Sequence, residues 1–126
     1  MEGLQNVYYA LGEMAYAVAK SDGSVNAEER KKIHDIVMQE TAGHNVDFDV
    51  AEIIFHILKK DDIDTKTTYD WAMNEFRKNK EFLTRDMVID FIAVAEKVAV
   101  ASNSYTRNEK SIVNQFRKEI SELVGL

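Results

Sequence analysis

The chain has 126 residues, which fits one compact domain and excludes a two-domain enzyme with a cleft between its lobes. Its 16 Lys and Arg residues and 22 Asp and Glu residues give a formal net charge of −6, so we expect no broad contact with nucleic-acid phosphates. The chain has no cysteine, which excludes disulfides, thiolate metal sites and cysteine-ligated iron–sulfur clusters.

The whole chain is predicted to be helical. Apolar residues recur at intervals of three and four rather than two, and the chain has no proline and only 5 glycines. These features predict a single all-α domain over residues 1–126, a compact bundle of roughly six or seven helices. The sequence shows neither a secretory leader nor an apolar run of about 18 residues, so we expect a cytoplasmic protein that does not span a membrane.

The first predicted helix carries an apolar stripe and ends in the turn at residues 21–23. The stripe consists of Leu4, Val7, Tyr8, Leu11, Met14, Ala15 and Val18. Tyr9 and Tyr16 lie outside the stripe, two turns apart on one side of the helix. If both are exposed, they mark an interaction face.

The next two helices have predicted starts of the same kind. Asn26 can cap a helix with Glu29 as its reciprocal partner, and Asp49 with Glu52 repeats the pattern. Gly43 is predicted to end the second helix. The third helix is predicted to bury Val50, Ile53, Ile54, Ile57 and Leu58.

The second half of the chain adds three more predicted helices. Thr67 is predicted to cap the fourth helix, and Thr84 to cap the fifth. The fifth helix has the broadest apolar band, which predicts that it is the central helix of the bundle. Thr106 with Glu109 forms a capping box for the last helix.

Aromatic and basic residues of the fourth helix allow two interpretations. Tyr69 and Trp71 are followed by three cations, Arg77, Lys78 and Lys80. Together they could form an exposed patch for a partner or an anionic surface. The alternative is that the aromatic residues belong to the core and the cations complement the helix end.

Two helix corners of the chain align without a gap. Residues 18–36 match residues 98–116 at a constant offset of 80, so that Glu29 falls on Glu109 and Val25 on Tyr105. Both copies place an apolar residue before the cap and a capping box after it. An internal repeat is one interpretation, and general helix-start chemistry is the other.

The first corner resembles the repeated motif of the TerB-like (tellurite-resistance protein B) domain family, Ala-x-x-Asp-Gly-x-φ-x-x-x-Glu, in which φ is apolar. The matching residues are Ala19, Asp22, Gly23, Val25 and Glu29. The second corner keeps the general pattern, but Ser102 and Asn103 replace the aspartate and the glycine.

This resemblance implies a pseudo-twofold helical bundle without enzymatic activity, of the kind found in bacterial tellurite- and stress-resistance systems. It implies protein partners at the inner face of the membrane, among them a membrane protein of the same resistance system. It also implies that an acidic corner could hold a divalent cation. The alternative is a helical adaptor or co-chaperone-type regulatory domain with no metal site.

The acidic corners are the candidate cation site. Asp22, Glu28 and Glu29, joined by Glu109 from the second corner, offer the oxygen ligands that Ca²⁺ and Mg²⁺ prefer. The competing interpretation is that these residues only turn the chain and cap the helices, since capping needs the same residue types.

We expect no catalytic residues in this chain. His34, His44 and His56 lack the spacing of a zinc protease helix, and the sequence has neither a Gly-x-Ser-x-Gly elbow nor a Gly-rich phosphate loop. An acid pair such as Asp22 and Glu29 could do acid–base work only if both were buried together.

Overall fold

The computed structural model describes residues 3–21, 23, 25–59, 63–101 and 107–126. Within these ranges the protein has six α-helices and no strand, which confirms the all-α prediction. The helices are α1 (Gly3–Lys20), α2 (Ala27–Thr41), α3 (Val50–Leu58), α4 (Thr65–Lys78), α5 (Arg85–Ala101) and α6 (Arg107–Leu123). A short 3-10 helix, Lys80–Phe82, lies between α4 and α5.

Polar side chains cap the helix starts where the sequence predicts them. At α2, Asn26 Oδ1 accepts a hydrogen bond from the Glu29 backbone N–H at 2.8 Å, and Glu29 Oε1 accepts one from the Asn26 N–H at 3.4 Å. This reciprocal pair is the predicted capping box. Asp49 and Thr84 accept first-turn N–H groups of α3 and α5 at 3.2 Å and 3.1 Å. Each such cap stabilises the protein by about 1 kcal/mol.

The predicted cap of α4 is wrong. The helix begins at Thr65, and Asp64 caps it. Asp64 accepts both the backbone N–H of Thr67 at 3.1 Å and its hydroxyl at 2.6 Å, which hold the pKa of the Asp64 carboxyl below its usual value. Because the carboxylate has two acceptor oxygens, Thr67 becomes a donor inside the first turn rather than the cap.

Helix α1 lies at the centre of the bundle. Residues 7, 8 and 10–19 are all buried, so burial extends around the whole circumference of the helix. It contacts each of the other α-helices. Small residues such as Ala10, Gly12 and Ala17 let neighbouring helices approach on several sides.

The prediction that the fifth helix is the central one is therefore wrong. Helix α5 buries one face, which includes Phe91 and Val94, while Ile89 and Val100 remain 54% and 65% exposed. Apolar content alone does not determine which helix is surrounded. The small side chains of α1 allow the close approach from several directions that the larger aliphatic residues of α5 do not.

Tyr9 and Tyr16 are not both exposed, so the condition for a tyrosine interaction face on the first helix is not met. Tyr16 is buried and belongs to the core, and Tyr9 is only half-exposed and packs against the core. Both follow from the burial of α1 on all sides, because no side of the helix is left to present a free pair of tyrosines.

The two aligned corners place their helices at matching positions. Helix α2 begins at Ala27 and α6 begins at Arg107, 80 residues later. The paired positions Val18 and Val98 are both buried before the turn, as are Ile33 and Val113 after it. Residues 102–106, which hold the predicted cap Thr106, lie outside the described residues.

Gly12 provides a test of the close packing around α1. A Cβ atom at this position would lie 2.4 Å from Ile57 Cδ1 and 2.8 Å from Ile54 Cδ1 of α3. We expect Gly12→Val to lower the free energy of unfolding by about 1–3 kcal/mol, because the larger side chain overpacks a filled site. Urea denaturation measures the change.

Gly43→Ala is the matched control for that substitution. A Cβ atom at Gly43 would meet no other atom within 4 Å, so we expect its free energy of unfolding to change by less than about 0.5 kcal/mol. Equal stability of Gly12→Val and the unmodified protein would contradict the central, tightly enclosed position of α1.

Candidate functional site

The described carboxylates of the predicted cation site each make a separate contact in the structure. Asp22 lies outside the described residues. Glu28 is exposed and pairs with Lys32 at 3.7 Å, while Glu29 closes the capping box of α2. Glu109 is fully buried in the first turn of α6 and makes an interaction of its own. Among the described residues, no group of three His, Asp or Glu side chains could hold a metal ion.

The cation hypothesis now depends on Asp22, and thermal melting tests it. If a cation binds only the folded state at this corner, Ca²⁺ or Mg²⁺ must raise the melting midpoint with concentration. Asp22→Ala and Glu29→Ala must abolish that rise. Asn26→Ala is the control, because it removes the cap without removing a predicted ligand. No rise up to millimolar cation, or an equal rise in both ligand variants, would contradict the hypothesis.

Three side chains form a hydrogen-bonded chain that joins α1, the α2–α3 loop and α5. The Tyr8 hydroxyl lies 2.5 Å from His44 Nδ1, and His44 Nε2 lies 2.6 Å from Asp90 Oδ2. A neutral His44 that carries its proton on Nε2 satisfies both contacts, since it donates to Asp90 and accepts from Tyr8. The network therefore fastens residues 42–49 to the core.

Tyr8 lies in an aromatic environment at one end of this network. Its ring is buried and meets His44, Phe48 and Phe91 edge-on, with ring centroids 5.5–5.8 Å apart. Burial, with a smaller contribution from the charge of Asp90, raises the pKa of Tyr8 to about 12. Both ring nitrogens of His44 have partners within the chain.

The raised pKa of Tyr8 predicts a loss of stability at alkaline pH. Between the unfolded value of 10.0 and the folded value of about 12, only the unfolded state loses the phenol proton. The free energy of unfolding should therefore fall by about 1.4 kcal/mol per pH unit in this range on account of Tyr8. We expect Tyr8→Phe to remove that contribution, measured by urea denaturation at a series of pH values.

Tyr69 provides the internal control for this measurement. Burial, and then its hydrogen bond to Glu119 at 2.7 Å, raise the pKa of Tyr69 as well, so part of the alkaline loss should persist in the Tyr8→Phe variant. An unchanged slope in Tyr8→Phe would contradict the burial of the Tyr8 phenol.

A second feature is a cleft of about 510 Å³ between α2 and α3, which we call the α2–α3 cleft. Its lining residues are Arg30, Lys31, His34, Asp35, Phe55, Leu58 and Lys59. Phe55 is 58% exposed, and Lys59 Nζ lies 4.4 Å from the centroid of its ring. The cleft thus combines an exposed aromatic side chain with a basic rim, in a chain whose net charge is −6.

Arg30, one of the residues that line the α2–α3 cleft, has a buried nitrogen without an acceptor among the described residues. Its Nε atom is buried and has no acceptor in the part of the chain that the structure describes. Arg77 and Arg117, in contrast, pair with Glu119 and Glu96 at 3.5 Å and 3.1 Å. A buried donor without an acceptor costs about 1–3 kcal/mol.

The predicted patch on α4 divides into a buried and an exposed part. Tyr69 is buried, so it is part of the core, while Trp71 is 45% exposed. Trp71 lines a separate cleft of about 380 Å³ between α1 and α4, together with Lys78. Arg77 points its guanidinium to Glu119 instead. In the lining of this cleft Glu13 and Glu75 outnumber Lys78, so it lacks the basic character of the α2–α3 cleft.

No protein-family model, curated protein or solved structure matches this chain. Over the described ranges, no helix combines the length and the apolar character that crossing a membrane requires.

Proposed function

We propose that this protein is a non-enzymatic interaction module that docks a segment of a partner protein in the α2–α3 cleft. The observation that carries the proposal is the exposed ring of Phe55 among basic side chains. Large aromatic residues in a cleft are typical anchors of protein interfaces, because burying them on binding removes much apolar surface from water. The cleft at Trp71, about 380 Å³, and a further cleft of about 370 Å³ lined by Tyr8, His44 and Asp90 are smaller.

The charge of the cleft selects the partner. Arg30, Lys31 and Lys59 outnumber Asp35 among its charged side chains. An acidic segment that carries an apolar side chain matches the charge of the basic rim and the apolar surface of Phe55 and Leu58. Since the chain as a whole is acidic, other surfaces repel such a segment, and the local positive charge directs it to this cleft.

We propose a non-enzymatic role because the titratable side chains considered for acid–base chemistry make structural contacts. The Tyr8 phenol is buried and its pKa is raised to about 12, so it supplies little phenolate at neutral pH. Glu29, one half of the predicted acid pair, closes a helix cap. These contacts support a role in binding rather than in acid–base chemistry.

The TerB-like resemblance suggests the cellular process and the location in which this module acts. We infer a bacterial tellurite- or stress-resistance function, with a membrane protein of that system as one partner and the inner membrane face as the place of contact. The corner motif and the matching starts of α2 and α6 support this. A helical adaptor or co-chaperone-type regulatory domain without a metal site is the alternative, and the same cleft would serve it.

Fluorescence anisotropy with a synthetic peptide tests the docking function. The labelled probe carries one phenylalanine flanked by glutamates. We expect it to bind, and we expect Phe55→Ser to weaken binding about tenfold because the aromatic contact is lost. Lys31→Glu should weaken binding and reduce its dependence on salt, because the substitution removes charge complementarity.

Two exposed residues outside the cleft are the controls for these variants. Ile89→Ser removes an apolar side chain from α5, and Lys118→Glu reverses a charge on α6. Neither should change the affinity. Equal binding of a probe with lysines in place of the glutamates, or unchanged binding by Phe55→Ser, would contradict the proposed function.

A further inference from the structure

We propose that Lys59 determines which segments the α2–α3 cleft accepts, because its ammonium covers one face of the Phe55 ring and disfavours apolar segments that carry no acidic residue. This inference rests on the proposed docking function and names the residue that makes the site selective. Lys59 thereby acts against uncharged segments, in addition to attracting acidic ones.

The end of α3 places Lys59 over Phe55. The two residues are four positions apart, so their side chains are neighbours on one face of the helix. Because Cα–Cβ bonds tilt toward the N-terminus of a helix, the side chain of Lys59 reaches back over the preceding turn. Its Nζ atom lies 4.4 Å from the centroid of the Phe55 ring, which makes a cation–π contact. The ammonium and an apolar ligand therefore compete for that face of the ring.

This competition penalises an uncharged segment more than an acidic one. An apolar side chain that packs on the covered face must move the ammonium into solvent, which loses the cation–π contact, or bury it without a counter-ion, which costs more. A carboxylate on the segment offsets the penalty because it pairs with the displaced ammonium. Cation–π contacts at exposed sites are weak, so the expected effect on affinity is about two- to fivefold.

Lys31 is the matched cation for comparison. It lines the same cleft and is exposed, as Lys59 is. Among the described residues, the cation that lies over the Phe55 ring is Lys59 and not Lys31. Lys31 can therefore attract a carboxylate without covering the ring. The two lysines differ in the property on which the inference depends.

Two labelled peptides that differ only in charge test the inference by fluorescence anisotropy. The acidic probe carries one phenylalanine flanked by glutamates, and the neutral probe has glutamines in their place. Lys59→Gln removes the charge without adding apolar surface. We expect it to bind the neutral probe about two- to fivefold more tightly than the unmodified protein does, and the acidic probe more weakly. Lys31→Gln should weaken the acidic probe and leave the neutral probe unchanged.

The conservative variant Lys59→Arg should keep the selectivity of the unmodified protein, because a guanidinium also binds the face of an aromatic ring. If the acidic probe binds but Lys59→Gln fails to bind the neutral probe more tightly, the inference is overturned and the docking function stands. The same holds if Lys59→Gln and Lys31→Gln respond alike to both probes. If the acidic probe does not bind the unmodified protein, the docking function fails, and this inference fails with it.

Proton NMR gives a readout of the covered ring that needs no ligand. Nuclei above the face of an aromatic ring are shifted upfield by its ring current. We therefore expect the Hε signals of Lys59 to lie upfield of those of Lys31, and Phe55→Ser to remove the difference. Hε signals of Lys59 that match those of Lys31 in the unmodified protein would show an uncovered ring and overturn the inference.

Discussion

The enclosure of α1 is the constraint on which the rest of the structure depends. Because α1 is buried around its circumference, each surrounding helix packs its inner face against it. Small residues make this possible, and at Gly12 the isoleucines of α3 already occupy the space of a side chain. Helices α2 and α3 both contact α1 and each other, so the surface left to them for binding is the side that faces solvent. The α2–α3 cleft lies there.

The hydrogen-bonded chain of Tyr8, His44 and Asp90 ties the α2–α3 loop to this core. Residues 42–49 join α2 directly to α3, and His44 ties them to α1 on one side and to α5 on the other. The loop is thereby held at a fixed place, and with it the positions of the two helices that line the cleft. The two hydrogen bonds of His44 support a positioning role for it in this loop.

Much of the fold could be predicted from the sequence, and part of the site could have been. The number of helices follows from the spacing of the apolar residues. The caps at Asn26, Asp49 and Thr84 follow from the residue types at the helix starts, and the structure contains all three. The position of α1 does not follow, because enclosure depends on the whole topology. Phe55 had a usable signal: it falls outside the stripe of Ile53, Ile54 and Ile57, and that offset indicates exposure. The Tyr8–His44–Asp90 network had no such signal in the sequence, since Tyr8 and Asp90 are 36 and 46 residues from His44.

The central claim is that an acidic segment with an apolar side chain occupies the α2–α3 cleft, and chemical-shift mapping by NMR tests it most directly. The chain has a single tryptophan, so the indole N–H of Trp71 reports on the cleft between α1 and α4 without ambiguity. On titration with the peptide that carries one phenylalanine flanked by glutamates, the backbone signals of Arg30, Phe55 and their neighbours on α2 and α3 should move while the indole signal stays. Movement of the indole signal with unchanged signals on α2 and α3 would contradict it.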